Sequence, residues 1–127
     1  MHRKAEGKAV VDYSFHVILS DLNESTLREM PDMIDRGYTS FKMFTTYEAL
    51  RVTDDVLLKA LVQARTHGGL VYVHAENHHM IDYLVKEFQT AGKIKPKYHA
   101  LSCPPLAEGL PWSVMAPCTW APATMLC

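Results

Sequence analysis

The sequence predicts an α/β fold with a parallel sheet, because strand-like and helix-like segments alternate along most of its length. Two short apolar runs, residues 39–44 and 70–74, are rich in β-branched and aromatic residues, and a segment with helical spacing of its apolar positions follows each. Strands that alternate with helices pair in parallel through right-handed crossovers. The pattern indicates about three consecutive βα units, followed by an irregular C-terminal tail.

The first unit begins at residues 9–19, whose β-branched and aromatic composition without helical spacing predicts a strand. Asn23 can cap the helix that follows, and Gly37 stands where a helix stop belongs. Pro31 lies inside that helix and predicts a kink or two short turns. We interpret His16, near the end of the strand, as a histidine whose polar groups are satisfied in the core.

The second and third units follow the same plan. Residues 53–55 can cap a helix after the second strand, and another helix after the third strand ends near Gly92. His78 and His79 begin this last helix and are predicted to be solvated. Prolines interrupt residues 93–105, which predicts a loop. The last helix carries an apolar stripe made of Ile81, Leu84, Val85 and Phe88.

The bulk composition is that of an ordinary globular domain. The chain has 127 residues, of which 48% are hydrophobic, enough for one domain with a modest core. Its formal net charge is -1 and its lysines and arginines are scattered, which argues against nucleic acid as a partner. The polar N-terminal residues contain no apolar signal segment, so we expect a cytoplasmic protein.

The composition changes near the end of the chain. Residues 110–127 have no charged side chain and contain recurring prolines. This argues against a membrane helix and predicts an irregular tail, foreign to the domain formed by residues 1–109. The cysteines are odd in number and lack Cys-x-x-Cys spacing, which fits neither a disulfide framework nor a zinc knuckle. We therefore expect free thiols at Cys103, Cys118 and Cys127.

Lys42 lies in the middle of the second predicted strand, where a charged side chain needs an explanation. Alternation places Phe41 and Met43 on one face, and Lys42 with Ser40 and Phe44 on the other. In a sheet covered by helices the amine would point inward, where burial favours its neutral, nucleophilic form. Such an amine can form a Schiff base or react with carbon dioxide, and a carbamylated lysine can bridge two metals. The alternative is a lysine at an exposed edge, or one whose stem reaches solvent.

His74 ends the third predicted strand, and Glu76 and Asn77 follow it. It is a candidate metal ligand whose neighbours could orient the imidazole. The alternative is a histidine that caps the next helix or binds the backbone. Tyr47 follows the Lys42 strand, and its phenol could donate to a substrate oxyanion or simply be a half-buried loop aromatic. Active sites of α/β folds lie at the carboxyl ends of strands, where these side chains are predicted to meet.

Several segments of the chain, together with Tyr47, form a specific combination. They are Val-Asp-Tyr-Ser-Phe-His at 11–16, Ser-Phe-Lys-Met-Phe at 40–44, Val-His-Ala-Glu-Asn at 73–77, and Tyr-His-Ala-Leu-Ser at 98–102, followed by Pro104, Pro105 and Glu108. This combination resembles the dihydropyrimidinase and hydantoinase family of the amidohydrolase superfamily. The resemblance extends to about Gly109.

The resemblance implies a partial TIM-type (β/α) barrel and a hydrolase that opens dihydropyrimidine or hydantoin rings. It implies two divalent metal ions, with zinc the first choice. Lys42 matches the carboxylated lysine that bridges the metals, and His74 matches a metal-ligating histidine. Tyr47 matches the tyrosine that contacts the substrate and helps to stabilise the oxyanion. Members of the family are typically homotetramers that act on small cyclic amides, so neither nucleic acid nor a membrane is an expected partner.

The sequence also departs from the family pattern. The His-x-His ligand pair, a further histidine ligand and the catalytic aspartate have no counterpart in it. We therefore expect a fragment derived from a cyclic amide hydrolase that is inactive by itself. Two alternatives stay open, a non-catalytic interaction protein related to dihydropyrimidinase and a gene remnant without function. The presence of Lys42, Tyr47 and His74 favours the enzyme lineage, because the interaction proteins generally lose the metal ligands.

Overall fold

The computed structural model describes residues 2–21 and 23–109. Three strands alternate with three helices between residues 17 and 90, which confirms the predicted order of three βα units. The predicted tail, residues 110–127, lies outside the described residues. The elements in chain order are α1 (His2–Ala5), β1 (Val17–Ile18), α2 (Glu24–Asp35), β2 (Ser40–Phe44), α3 (Asp54–His67), β3 (Leu70–His74), α4 (His78–Thr90), α5 (Pro96–Ser102) and α6 (Pro105–Gly109).

The three strands form one parallel sheet in the order β1-β2-β3. Phe41 pairs with Val17 on one side and with Val71 on the other, and Phe44 pairs with His74. Paired residues point to the same face of a sheet, so the register sorts the side chains into two faces. A parallel three-stranded sheet is consistent with part of a barrel, although three strands do not close one.

One face of the sheet is packed against α2 and α3, which also pack on each other. Phe41 and Met43 point to this face and are 1% and 0% exposed. The buried cluster around them consists of Leu19, Met30, Leu57, Ala60 and Ala64. Burying this cluster removes its apolar surface from water, at about 25 cal/mol per Å², and this is the main stabilising term for the unit.

The other face of the sheet, which we call the open face, is not covered by any helix of the described residues. It carries Ile18, Leu70 and Tyr72, which are 55%, 55% and 48% exposed. Lys42 also points to the open face and is half-buried. The expectation that covering helices direct its amine inward is therefore wrong for the described residues, in which helices cover only the other face.

The ends of the helices follow local rules. The Asn23 side chain accepts hydrogen bonds from the backbone N–H groups of Ser25 and Thr26, at 2.9 and 3.0 Å, and so caps α2. Gly68 ends α3 in the left-handed conformation with φ +79°, which a glycine adopts without strain. Pro31 lies inside α2, which is one continuous helix of 12 residues rather than two short turns.

Two predicted elements are corrected. Within residues 9–19 only Val17 and Ile18 form a strand, and Val10 is 98% exposed, because a strand-like composition forms no strand where no neighbouring chain offers hydrogen bonds. Residues 93–105 are not simply a loop, since α5 begins at Pro96 and α6 at Pro105. Proline fits the first turn of a helix, where its missing N–H is not needed.

The described residues include no helix with both the length and the apolar character needed to cross a membrane. Cys103 is a free thiol, as predicted. Cys118 and Cys127 lie outside the described residues.

Candidate active site

The carboxyl ends of β2 and β3 lie side by side, because Phe44 and His74 are paired in the parallel register. Lys42 precedes Phe44 by two residues and therefore lies on the same face as His74. Tyr47 follows the end of β2 and reaches the His74 ring. Tyr47 and His74 thus meet at the carboxyl end of the open face, and Lys42 lies on the same face, two residues before the end of β2.

Lys42 has an apolar setting on this face. Its Nζ lies 5.0 Å from the centroid of the Phe44 ring, within the range of a cation–π contact. Among the described residues, no hydrogen-bond acceptor or carboxylate partners the amine.

His74 is held on two sides. Its Nε2 lies 3.2 Å from Glu76 Oε2 and 3.3 Å from Tyr47 Oη. Because a carboxylate accepts hydrogen bonds, the contact with Glu76 favours the tautomer with the proton on Nε2. In the neutral ring this leaves the lone pair of Nδ1 free for a ligand. Asn77 caps α4 by accepting from the Met80 N–H at 2.9 Å.

Tyr47 has a backbone conformation that is uncommon for a side-chain-bearing residue, with φ +67°. Its carbonyl accepts hydrogen bonds from the N–H groups of Leu50 and Arg51, at 2.8 and 2.9 Å, which close the turn. Its ring stacks on His74 with centroids 5.3 Å apart and planes 8° apart. The side chain is 52% exposed. Strained residues of this kind are concentrated at functional sites.

Glu48 follows Tyr47 and links the β2 loop to α4. Its carboxylate lies 3.0 Å from Arg51 Nε and 3.0 Å from His78 Nε2. The hydrogen bond from Arg51 is the main reason that the pKa of Glu48 is below its ordinary value. The His78 side chain is only 19% exposed, so the prediction that it is solvated is wrong, because Glu48 packs against it. His79 is exposed, as predicted.

His16 also differs from its prediction. It is exposed on the open face rather than buried in the core. Its Nδ1 shares a hydrogen bond of 2.5 Å with Ser40 Oγ, and its ring meets Tyr72 edge-on at 4.9 Å. The reason for the difference is the register, which directs His16 to the face without a helix.

The resemblance to the hydantoinase family implies metal ligands at Lys42 and His74 among the described residues. The described residues hold no group of three or more His, Cys, Asp or Glu side chains that could bind a metal ion. A catalytic zinc ion normally takes three protein ligands. A carboxylated Lys42 would offer oxygen donors and His74 a nitrogen donor, a chemistry that suits zinc but falls short of a full ligand set.

Two contacts of the site, Thr45 to Glu76 and Glu48 to His78, were not predicted from the sequence. Each joins residues about thirty positions apart, and no local pattern signals them. The fold and the site together define a parallel α/β unit with its candidate functional side chains at the carboxyl edge of the sheet.

No protein-family model matches the chain. It is similar to the D-hydantoinase of Geobacillus stearothermophilus, with 47% identity over 110 residues, which are 85% of this chain and 23% of the relative. It is also similar to the D-phenylhydantoinase of Escherichia coli O1:K1 / APEC, with 43% identity over 100 residues, 79% of this chain and 22% of the relative. The crystal structure of dihydropyrimidinase from Brevibacillus agri NCHU1002 aligns with a TM-score of 0.84 at 41% identity, covering 92% of this chain and 27% of that chain.

The chain matches a fragment of the D-hydantoinase and dihydropyrimidinase family, which confirms the resemblance drawn from its sequence. It spans about a quarter of the length of these relatives. The likeness in structure covers the sheet and the helices that position Lys42, Tyr47 and His74.

Proposed function

We propose that this chain provides part of the active site of a metal-dependent cyclic amide hydrolase, one that opens dihydropyrimidine or hydantoin rings. The observation that carries the proposal is that Tyr47 and His74 are in contact at the carboxyl end of the sheet, with Lys42 on the same face. The chain is 47% identical to a D-hydantoinase over its matched length. The homologues support the origin from a cyclic amide hydrolase. The roles of single residues belong to the proposal.

Each of the three residues has a distinct task. The neutral Lys42 amine would add carbon dioxide and release a proton to solvent, giving a carbamate whose oxygens would hold the metal ions. His74 would offer Nδ1 to a metal, while Glu76 accepts a hydrogen bond from Nε2. Tyr47 would donate a hydrogen bond from its hydroxyl to the oxygen on which charge develops as the ring opens. The two divalent ions, zinc for preference, would when bound activate water and polarise the amide carbonyl.

The chain by itself is proposed to be inactive. Its described residues offer two metal-binding positions on three strands, and a barrel of this class needs about 250 residues. We expect no ring opening of dihydrouracil by the purified chain with zinc, manganese or cobalt. Clear metal-dependent turnover would contradict this. The cytoplasmic location and the homotetramer of the complete protein stay predictions.

A segment exchange tests the proposed function. Residues 1–109 of this chain would replace the matching segment of the Geobacillus stearothermophilus D-hydantoinase, and metal-dependent hydantoin hydrolysis would be measured. The chimera should be active, and Lys42→Met should lower kcat/KM by about a thousandfold or more because the metal bridge is lost. Tyr47→Phe should lower kcat about a hundredfold, as expected for the loss of one oxyanion donor.

The matched control is Lys59→Met, which removes an exposed lysine paired with Asp55 on α3. It should leave turnover unchanged. Mass spectrometry of the active chimera under native conditions should detect a carbon dioxide adduct on Lys42. A folded, metal-loaded chimera with no turnover, or one in which Lys42→Met and Lys59→Met behave alike, would overturn the proposal.

A further inference from the structure

The turn between β3 and α4, residues 75–77, carries the groups that orient His74. The parallel pairing of β2 and β3 ends at Phe44 and His74, so the residues beyond this pair have no ladder partners. Glu76 still needs hydrogen bonds for its partly buried backbone. The position of the Glu76 backbone also determines where the Glu76 carboxylate lies.

Thr45 supplies these hydrogen bonds. Its hydroxyl donates to the Glu76 carbonyl at 2.8 Å and accepts from the Glu76 N–H at 2.9 Å. Its own N–H donates to the His74 carbonyl at 3.1 Å. A single side chain thus satisfies both backbone groups of a residue 31 positions away, as a further pair of the sheet would do.

The far side of the turn is tied to α6. The Asn77 N–H donates to the Ala107 carbonyl at 2.7 Å, and Ala107 is fully buried. With both flanks fixed, the Glu76 backbone depends on the Thr45 hydroxyl for its orientation. Its carboxylate, which is 17% exposed, is thereby placed 3.2 Å from Nε2 of His74.

We propose that Thr45 is a positioning residue of the candidate site, which acts through Glu76 to hold the His74 imidazole with its proton on Nε2. The meaning of this for catalysis rests on the proposed function. The hydrogen-bond relay itself is a property of the chain and can be tested without any turnover.

The experiment uses the purified chain and measures the tautomer of the His74 imidazole directly. Nitrogen-15 NMR of the histidine side chains reports which ring nitrogen of His74 carries the proton, and amide hydrogen exchange reports the protection of the Glu76 N–H. Thr45→Val keeps the shape but removes the hydroxyl. We expect it to mix the two tautomers of His74 and to speed exchange at Glu76 about tenfold, whereas Thr45→Ser should restore both signals.

A control separates positioning from general stability. Thr66→Val removes a similar hydroxyl hydrogen bond, 2.8 Å to the Val62 carbonyl, on the exposed side of α3. It should leave the His74 tautomer unchanged even if it alters the melting temperature. If Thr45→Val does not fold, Thr45→Ala provides the same test with a smaller side chain.

Unchanged nitrogen signals and Glu76 exchange in folded Thr45→Val or Thr45→Ala would overturn the inference. This test does not depend on the segment-exchange chimera. An inactive chimera would refute the proposed hydrolase function but would say nothing against the hydrogen bonds that join Thr45, Glu76 and His74.

Discussion

Phe41 and Lys42 are neighbours on β2, yet they lie in opposite environments. Phe41 is 1% exposed among the helices, whereas Lys42 lies half-buried on the open face, with its amine over the Phe44 ring. The first residue therefore contributes to the fold through burial. The second has no ion pair among the described residues that would make it necessary for the fold.

This contrast predicts different costs for two substitutions. Lys42→Met retains the apolar stem and should change the free energy of unfolding by no more than about 0.5 kcal/mol. Phe41→Ala leaves a cavity in the core and should lower it by about 3–5 kcal/mol. Urea unfolding followed by circular dichroism measures both. A large loss for Lys42→Met would mean that the lysine is structural, and would weaken the case for a chemical role.

Glu48 gives a prediction on pH. Its pKa is below the ordinary value in the folded chain, chiefly because Arg51 donates to it, so folding favours the carboxylate. The stability that the Glu48 carboxylate adds to the fold is fully present above the pKa that this carboxyl has in the unfolded chain. It is lost as the pH falls through the lower pKa that the carboxyl has in the folded chain. The stability difference between wild type and Glu48→Gln should be small at pH 7, because the side chain is exposed, and should vanish in acid.

Urea unfolding at several pH values between 7 and the acid range tests this difference. Arg51→Gln should remove most of the same pH dependence, because Arg51 is the largest cause of the shift. A difference that grows as the pH falls would contradict the assigned sign.

At the scale of elements, the features that could be predicted are those set by the local sequence. Asn23 and Gly68 mark helix ends by their own hydrogen bonding and backbone conformation, and both helices were predicted. The first strand was overestimated because its length depends on what lies beside it, which composition does not reveal. Prolines in residues 93–105 predict interruptions of regular structure, yet Pro96 and Pro105 each begin a helix.

In the candidate site, too, some residues could be predicted from the sequence and some contacts could not. Lys42 and His74 could be found because each stands at a distinctive place in a strand. The Thr45–Glu76 contact could not, because it joins residues from different βα units and depends on the register of β2 and β3. The sequence does not indicate whether a threonine hydroxyl forms hydrogen bonds with water or with the backbone of a distant residue.

The junction of α3 and β3 gives a test of packing between elements. A Cβ added at Gly69 would lie 3.0 Å from Ile34 Cδ1 and 3.2 Å from Phe41 Cε2. Gly69→Ala should therefore lower the free energy of unfolding by about 1 kcal/mol or more, since overpacking outweighs the gain from a less flexible unfolded chain. A Cβ added at Gly109 meets no atom of the described residues within 4 Å, so Gly109→Ala should cost nothing. Equal effects in urea unfolding would argue against the close packing at Gly69.

For the molecule as a whole, the open face is the dominant feature. Helices cover only one face of the three-stranded sheet in the described residues, so apolar side chains on the open face lie in water. In the same residues β1 and β3 are the edge strands of the sheet. Unpaired edges and exposed apolar patches both favour association. The relatives are about four times as long as the match, so in them additional chain is available to cover this surface.

The purified chain should therefore self-associate as its concentration rises, and the open face should be responsible. Replacing Ile18 and Leu70 together by lysine places two charges on that face and should shift the chain towards monomer in sedimentation velocity runs. The control replaces Leu58 and Val62 by lysine, since these are 43% and 42% exposed on α3 and lie away from the open face.

The control pair should leave the association unchanged, because exposed apolar residues on a helix surface do not extend a sheet. Both pairs are at exposed positions, so each variant should remain folded by circular dichroism. Equal dissociation by both pairs would show that association follows general hydrophobicity rather than the open face. A chain that stays monomeric at every concentration would mean that the three-stranded sheet tolerates its uncovered side in water.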